Sequence, residues 1–322
     1  MLYKLLNFKG EFFMDIERIG LIGLGAVGSV YAKQFLKAYG ENFYILANSQ
    51  RADYIMKKGV KVNGSLIYPN IISTEVKNDE CDIDLLLVCV KNYQLEDCFD
   101  EIRNVINDNT IILPLLNGIT ATNRLKEAFP NNVVLYGAVY ILAEKICENV
   151  YSNNKGLIRF GEQINNDDNY SDSVLRVKQA FEEAKIDFEI PYDMISTLWR
   201  KWLINIGSNQ VSAIVGAGYN HFKEVEEIQI LICNAMLEVV EVAESLGVNL
   251  PKEDVEKYVA NIFDINYDYD YTTSTLQDIR NGRKTEIEYF AGDLIKIAKR
   301  ASVNVPVNET LYYLIKAIEK IN

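Results

Sequence analysis

In RIGLIGLGAVGSVYAKQFLKAYG (residues 18–40), an apolar strand, a glycine loop and a helix follow one another without a break. The apolar segment 19–22 predicts a short, buried parallel strand. Gly23, Gly25 and Gly28 then form the pattern G-x-G-x-x-G, and apolar residues recur beyond it at helical spacing. This order is the context that a dinucleotide-binding loop requires. The sequence therefore predicts such a loop at the start of a Rossmann-type sheet.

Each glycine of this loop has its own expected role. Gly23 permits a tight turn, Gly25 lets a pyrophosphate approach the backbone, and Gly28 lets the helix pack closely on the strand. The first N–H groups and the dipole of the helix then face the phosphates. The alternative is a glycine turn in an ordinary βα unit. The predicted cofactor-binding loop consists of Gly23, Leu24, Gly25, Ala26, Val27 and Gly28.

The composition limits the classes of partner. A length of 322 residues favours two domains over one. The net charge of −12 argues against nucleic acid or an anionic membrane surface as a partner. No apolar run is long enough to span a bilayer, so no membrane association is predicted. The expected partner is a small molecule.

Cysteine and histidine usage narrows the chemistry. Five cysteines are scattered without a C-x-x-C pair, which indicates the reduced thiols of a cytoplasmic protein rather than disulfides or a zinc cluster. His221 is the only histidine, so metal sites built from several histidines are excluded and serine–histidine catalysis is disfavoured. No metal site is predicted, and a proton donor is expected among lysine, glutamate, aspartate or tyrosine.

A change of pattern near Pro191 divides the chain. Apolar strands alternate with helices before it, and helical periodicity takes over after it. We predict an α/β, Rossmann-type doubly wound sheet domain over 14–191 and an all-α domain over 192–322. Residues 1–13 are interpreted as an extension ahead of a natural start at Met14. The helical segments are about 193–215, 223–246, 252–263, 283–301 and 307–320, and hairpin-like alternation occurs over 61–76, around Asn63-Gly64, and over 150–161.

The residues after the second predicted strand bear on the choice of nicotinamide cofactor. That strand is 42–47, and the dinucleotide fold reads the adenosine ribose just beyond it. An acidic residue there would bind both ribose hydroxyls, but none occurs before Asp53. Arg51, with Asn48 and Ser49, could instead accept a 2′-phosphate, which favours NADP (NADPH). The alternative is that Arg51 is a surface arginine near the start of a helix.

Two further polar side chains follow strands that are almost entirely apolar. Lys91 comes directly after the strand 83–90, and Asn117 directly after the strand 111–116. Ligands of open α/β sheets bind beyond the carboxyl ends of the strands. Either residue alone is more typical of a surface or a turn, but together they favour a cofactor site.

Three polar residues share one face of the first long helix after Pro191. Lys201, Asn205 and Asn209 are spaced by four, which spreads them over about 12 Å of helix. The residues around them are mostly apolar, as in a helix that is buried on most sides. A ligand could satisfy these polar groups. A solvent-facing stripe, or amides satisfied by neighbouring loops, explains the spacing equally well.

A second polar segment, TTSTLQDIRNGRKTEIEY, spans residues 272–289. In it Thr285 is predicted to cap a helix whose first turn contains Glu286 and Glu288. An ordinary acidic helix start would have the same pattern.

Five segments together carry a family resemblance. They are GLGAVG, LLLVCVKNY, LPLLNGI, LWRKWLINIGSNQ and STLQDIRNGRKTEIEY. Their order and spacing resemble the ketopantoate reductase (2-dehydropantoate 2-reductase) family from about Arg18 to the C-terminal helix. The pattern K-x-x-x-N-x-x-x-N followed by S-x-L-Q-D and T-E-I-E is far more specific than the glycine motif.

The resemblance implies a role for each matching residue. Lys201 matches the general acid of the family, and Glu286 matches a residue that lines the nicotinamide and orients the lysine. The family usually has an arginine where this chain has Asn48, so Arg51 would have to substitute for it. The positions that match substrate-binding residues are Asn205, Asn209 and Ser274, and those that line the nicotinamide half of the cofactor are Lys91, Asn117, Ala143 and Glu286.

The implied activity is NADPH-dependent reduction of 2-dehydropantoate to (R)-pantoate in pantothenate and coenzyme A biosynthesis. One alternative is a related NAD(P)-dependent 2-hydroxyacid dehydrogenase that acts on another branched 2-keto acid. A non-catalytic NADP-binding sensor is disfavoured, because a sensor has no need of Lys201, Asn205 and Glu286 together. The long apolar helices suggest a homodimer.

Overall fold

The computed structural model describes residues 15–77, 82–152, 155–264 and 271–321, with no account of the side chains of 261–264. The predicted extension 1–13 and Met14 lie outside these residues. The strands are β1 (Ile19–Ile22), β2 (Phe43–Ala47), β3 (Val60–Val62), β4 (Ser65–Ile67), β5 (Asn70–Ser73), β6 (Leu85–Val88), β7 (Ile111–Pro114), β8 (Tyr136–Tyr140), β9 (Ala143–Ile146), β10 (Asn149–Ser152), β11 (Leu157–Gly161) and β12 (Asp187–Glu189). The α-helices are α1 (Ala26–Tyr39), α2 (Ser49–Lys58), α3 (Phe99–Arg103), α4 (Ala121–Ala128), α5 (Asp172–Glu183), α6 (Met194–Val215), α7 (Tyr219–Glu224), α8 (Glu226–Ser245), α9 (Lys252–Asp264), α10 (Ser274–Arg280), α11 (Ala291–Ala301) and α12 (Pro306–Ile321).

The chain forms two compact units. The first runs through Leu116 and continues over Ala121–Met194, and the second combines Asn117–Thr120 with the chain from Ile195 onward. The short segment after β7 is therefore grouped with the helices and not with the sheet that it leaves. Among the described residues, no helix combines the length and apolar character needed to cross a membrane.

The first unit is built on a parallel sheet with the strand order β5-β2-β1-β6-β7. Along β6, Leu85 and Leu87 pack into the core on one face, and Leu86 and Val88 into the core on the other. A parallel strand covered on both faces needs such a fully apolar sequence. The chain reverses its direction of travel across the sheet at β1, the point where ligands of such sheets bind. The predicted Rossmann-type sheet followed by a helical region is confirmed.

Two smaller sheets complete the first unit, with the orders β4-β3-β10-β9 and β12-β11-β8. The predicted hairpin around Asn63-Gly64 is confirmed as the antiparallel pair β3–β4. The predicted hairpin over 150–161 is wrong, because β10 and β11 lie in different sheets. β10 pairs with β9 along one edge and with β3 along the other. Next to β3, the side-chain amide of Asn63 donates to the Ser152 carbonyl and accepts the Ser152 backbone N–H.

In the second unit α8 packs against α7, α9, α11 and α12, and α6 is buried along most of its length. Trp202 is fully buried, meets Trp199 edge to face at 5.1 Å between ring centroids, and donates its Nε1–H to the Tyr289 carbonyl at 2.9 Å. The helix predicted over 283–301 begins later, because a 3-10 turn at Ile287–Tyr289 precedes α11. Between them, Phe290 has φ −102° and ψ −101°, which no α-helix accommodates.

Candidate functional site

The glycine loop has the geometry that a dinucleotide needs. Gly23 has a φ of 99°, and a Cβ there would lie 2.6 Å from the Cys89 carbonyl carbon. A Cβ on Gly28 would lie 2.0 Å from the Gly23 oxygen, so only glycine lets α1 pack this closely on the loop. Gly25 differs, because a Cβ there would meet no atom within 4 Å. Its open surface fits the close approach of a pyrophosphate to the N-terminus of α1.

Two other predicted cofactor residues also belong to the first unit. Lys91 follows the loop segment at Cys89 that lies against Gly23, and it is half-buried. Ala143 begins β9 and packs against the same core cluster as Ala26 of the glycine loop. β6, the strand next to β1, ends at Val88 and not at residue 90 as the sequence predicted, so Lys91 lies three residues beyond the carboxyl end of this strand.

The residues beyond β2 are engaged with their own helix. Asn48 is the N-cap of α2, and its side-chain oxygen accepts the Arg51 backbone N–H at 3.0 Å. The Arg51 guanidinium lies over the ring of Tyr54, 5.1 Å from its centroid. Ser49 donates its backbone N–H, at 3.1 Å, and its hydroxyl to the carboxylate of Glu75. Glu75 is not among the residues predicted from the sequence, because it follows β5 and not β2. A search beyond each strand of the sheet could have found it.

In the second unit, a lysine and a carboxylate are buried together. Lys201 is 8% exposed and Glu286 is 3% exposed. Glu286 also accepts a hydrogen bond from the Asn117 side-chain amide at 3.2 Å. Burial lowers the pKa of Lys201 to about 8, and the nearby charge of Glu286 opposes part of that shift. Lys201 is therefore still mostly protonated at neutral pH, but it loses its proton more readily than an exposed lysine does.

A row of side-chain amides continues from Lys201 along α6. Asn209 donates to the Asn205 side-chain oxygen at 3.2 Å, and Ser274 donates its hydroxyl to the Asn209 oxygen at 3.4 Å. The Nδ2 of Asn205 is buried and has no acceptor among the described residues. Buried donors are normally satisfied, so this atom indicates a place for a ligand acceptor. Lys201 and Asn209 are both buried, so the alternative of a solvent-facing stripe is wrong.

The backbone around Glu286 is held from the C-terminal helix. Thr285 donates its backbone N–H and its hydroxyl to Glu319 of α12, at 2.9 Å and 2.7 Å, and its hydroxyl oxygen accepts the Ile287 N–H at 3.2 Å. Glu286 therefore lies just before a 3-10 turn, and the prediction that Glu286 and Glu288 occupy the first turn of an α-helix is wrong. Nothing in the local sequence signals Glu319, because it lies 34 residues farther along the chain.

The two units divide the predicted residues between them. The glycine loop, Asn48, Arg51, Lys91 and Ala143 belong to the first unit. Lys201, Asn205, Asn209, Ser274, Glu286 and Asn117 belong to the second. A dinucleotide-binding fold together with a buried lysine beside a carboxylate and amides defines an oxidoreductase.

Comparison with known proteins specifies the family. The model "Ketopantoate reductase PanE/ApbA" matches residues 19–164, and its C-terminal counterpart, "Ketopantoate reductase PanE/ApbA C terminal", matches residues 193–319. The chain belongs to the ketopantoate reductase family, and the resemblance seen in the sequence is confirmed.

Individual relatives cover nearly the whole chain. The 2-dehydropantoate 2-reductase of Pyrococcus horikoshii is 24% identical over 94% of this chain and 98% of its own. The crystal structure of 2-dehydropantoate 2-reductase from Methylococcus capsulatus has a TM-score of 0.78 at 26% identity and covers 94% of this chain and 97% of its own. The ternary structure of D-mandelate dehydrogenase with NADH and anilino(oxo)acetate has a TM-score of 0.84 at 21% identity, and the match covers 94% of this chain and 99% of that chain.

Proposed function

We propose that this protein reduces 2-dehydropantoate to (R)-pantoate with a reduced nicotinamide dinucleotide. The observation that carries the proposal is the buried Lys201, with a pKa of about 8, on the same helix as the unsatisfied amide of Asn205. A proton donor and an unused hydrogen-bond donor, one helical turn apart, suit a substrate with a ketone next to a carboxylate. The bound dinucleotide supplies the hydride.

Each protein group has a separate task in this proposal. The open backbone at Gly25 and the first N–H groups of α1 hold the pyrophosphate. Lys91, Ala143 and Asn117 line the nicotinamide half, as the family resemblance implies. Glu286 keeps Lys201 partly protonated against the cost of burial, and its own position is fixed by Asn117.

Lys201 gives its proton to the ketone oxygen. Negative charge builds on that oxygen as the carbonyl carbon is reduced, and an adjacent ammonium stabilises the charge before the proton moves. The low-dielectric surroundings of a buried lysine strengthen this interaction relative to water. Asn205, Asn209 and Ser274 hold the keto acid, with the free Nδ2–H of Asn205 donating to one of its oxygens.

The proposal can be tested by measuring the rate at which the reduced dinucleotide is oxidised in the presence of each of a panel of 2-keto acids. We expect 2-dehydropantoate to give the highest kcat/KM. Turnover of other branched 2-keto acids with little activity on 2-dehydropantoate would instead establish the second candidate, a related 2-hydroxyacid dehydrogenase. The observation that favours this candidate is the similar fold of D-mandelate dehydrogenase, whose solved structure contains NADH and anilino(oxo)acetate. Dinucleotide binding without turnover of any keto acid would leave only a sensor.

The pH dependence should report the pKa of Lys201. Reduction needs the protonated lysine, so its rate should be level below about pH 8 and fall tenfold per pH unit above it. Oxidation of the hydroxy acid needs the neutral lysine and should show the opposite slope. Glu286→Gln removes the charge that raises this pKa, so its reduction profile should break at lower pH. A reduction rate that stays level to pH 10 in the unmodified enzyme would contradict Lys201 as the acid.

The remaining expectations stay predictions. The preference for NADPH predicted from the sequence rests on Arg51 and on the lack of an acidic residue between Ala47 and Asp53, and it takes no account of Glu75, which follows a different strand. The cytoplasmic location and the homodimer rest on composition and on the apolar helices. Light scattering of the purified protein measures the mass in solution and so tests the dimer.

A further inference from the structure

We propose that Glu75 makes this protein prefer NADH to NADPH. The inference rests on the dinucleotide site of the proposed function, and it reverses the preference that the sequence alone predicted. The predicted preference depends only on the residues after β2, whereas in the structure an acidic residue that follows the neighbouring strand β5 lies beside them.

The sheet places Glu75 where the adenosine ribose is read. β5 pairs with β2 in parallel, with Ser73 beside Ala47 at their carboxyl ends. The ladder continues one step farther, since the Thr74 N–H donates to the Ala47 carbonyl at 3.1 Å. Glu75 comes next, at the level of Asn48 and Ser49. A dinucleotide on the glycine loop after β1 directs its adenosine ribose to this end of β2.

The carboxylate of Glu75 is fixed at the N-terminus of α2. It accepts the Ser49 backbone N–H at 3.1 Å and the Ser49 hydroxyl. These two bonds hold the pKa of Glu75 below its ordinary value, so the side chain is ionised at neutral pH. The positive end of a helix dipole attracts anions, and here a protein carboxylate already takes that position.

This arrangement treats the two cofactors differently. The ribose of NADH presents hydroxyl groups, which can donate to a carboxylate, as the acidic residue of NAD-binding sites accepts them. The 2′-phosphate of NADPH carries close to two negative charges and would be repelled by Glu75. It would also compete with Glu75 for the N–H of Ser49.

The cation nearest in sequence does not offset this repulsion. Arg51 is exposed, and its guanidinium lies over the Tyr54 ring. The hydroxyl of Tyr54 donates to a second carboxylate, that of Glu148. A 2′-phosphate would therefore meet one exposed arginine in surroundings that contain two carboxylates.

The inference can be tested by titrating the purified protein with NADH and with NADPH in the absence of keto acid. The fluorescence of the reduced nicotinamide then gives a dissociation constant for each dinucleotide. We expect NADH to bind at least tenfold tighter in the unmodified chain. Glu75→Gln keeps an acceptor for Ser49 but removes the charge, and it should reduce that ratio at least fivefold, mainly by tightening NADPH. Tighter or equal binding of NADPH by the unmodified chain, or an unchanged ratio in Glu75→Gln, would overturn the inference.

A matched variant controls for the loss of one negative charge. Glu183→Gln makes the same change on α5, where Glu183 accepts the hydroxyl of Tyr39 at 2.8 Å. Tyr39 ends α1, about 20 Å along the helix from the glycine loop. We expect Glu183→Gln to leave the ratio unchanged, and a shift equal to that of Glu75→Gln would overturn the assignment to Glu75. Binding of neither dinucleotide would reject the proposed function itself, whereas binding without turnover of 2-dehydropantoate would reject only its substrate.

Discussion

Replacing Lys201 with alanine should lower kcat for keto-acid reduction by about 10²–10⁴-fold, the usual contribution of a positioned acid or base. The affinity for the reduced dinucleotide should be nearly unchanged, because the glycine loop proposed to hold the pyrophosphate belongs to the other unit. The loss should fall on the transition state, in which charge develops on the ketone oxygen. Steady-state turnover at saturating dinucleotide measures it.

Two further variants separate chemistry from structure in this test. Lys201→Met keeps most of the side-chain volume in a buried position, so it should fold and show the same loss of kcat as the alanine variant. Lys296 on α11 is exposed and pairs with Asp293, so Lys296→Ala should keep kcat within about twofold. If Lys201→Met turned over within about threefold of the parent, well short of a general acid's contribution, Lys201 would be a structural lysine.

Gly25→Val should weaken binding of either dinucleotide by at least about 100-fold, or about 2.7 kcal/mol, while the protein stays folded. A side chain at Gly25 meets no protein atom within 4 Å, and the backbone angles there, φ −76° and ψ −163°, suit any residue. The valine would occupy the space through which a pyrophosphate approaches the backbone. Nicotinamide fluorescence titration measures the affinity, and thermal unfolding reports the fold.

Gly28→Ala provides the contrasting variant in the same loop. Its Cβ would lie 2.0 Å from the Gly23 oxygen, so α1 and the loop would have to separate. We expect a lower melting temperature in this variant, and a loss of binding only as a consequence of the altered loop. Normal dinucleotide binding by Gly25→Val would show that the cofactor lies elsewhere.

The sequence predicts the parts of this fold that depend on local signals. β1, the glycine loop and α1 follow from one continuous stretch, and the apolar run of β6 indicates a strand buried on both faces. The supposed hairpin over 150–161 fails because strand alternation does not specify a partner. β10 finds its partners in β9 and β3, and contacts with distant strands decide such pairings.

The candidate site shows the same limit. The shared face of Lys201, Asn205 and Asn209 follows from helical spacing alone, but their burial does not. The approach of Glu286 to Lys201 joins residues 85 positions apart, and only the family resemblance anticipated it. The position of Glu75 could not be predicted in this way, because its partner Ser49 lies 26 residues away in sequence, at the start of α2.

The fluorescence of the two tryptophans of this chain can report on the surroundings of the buried lysine. Trp199 and Trp202 are the whole tryptophan content of the sequence, and both lie in the core beside Lys201 on α6. Their rings contact each other edge to face, and the indole N–H of Trp202 is held by the carbonyl of Tyr289, three residues after Glu286. The tryptophan fluorescence of the protein therefore originates in a single helix. A change in its emission on adding a keto acid would come from the immediate neighbourhood of the lysine, without any attached label.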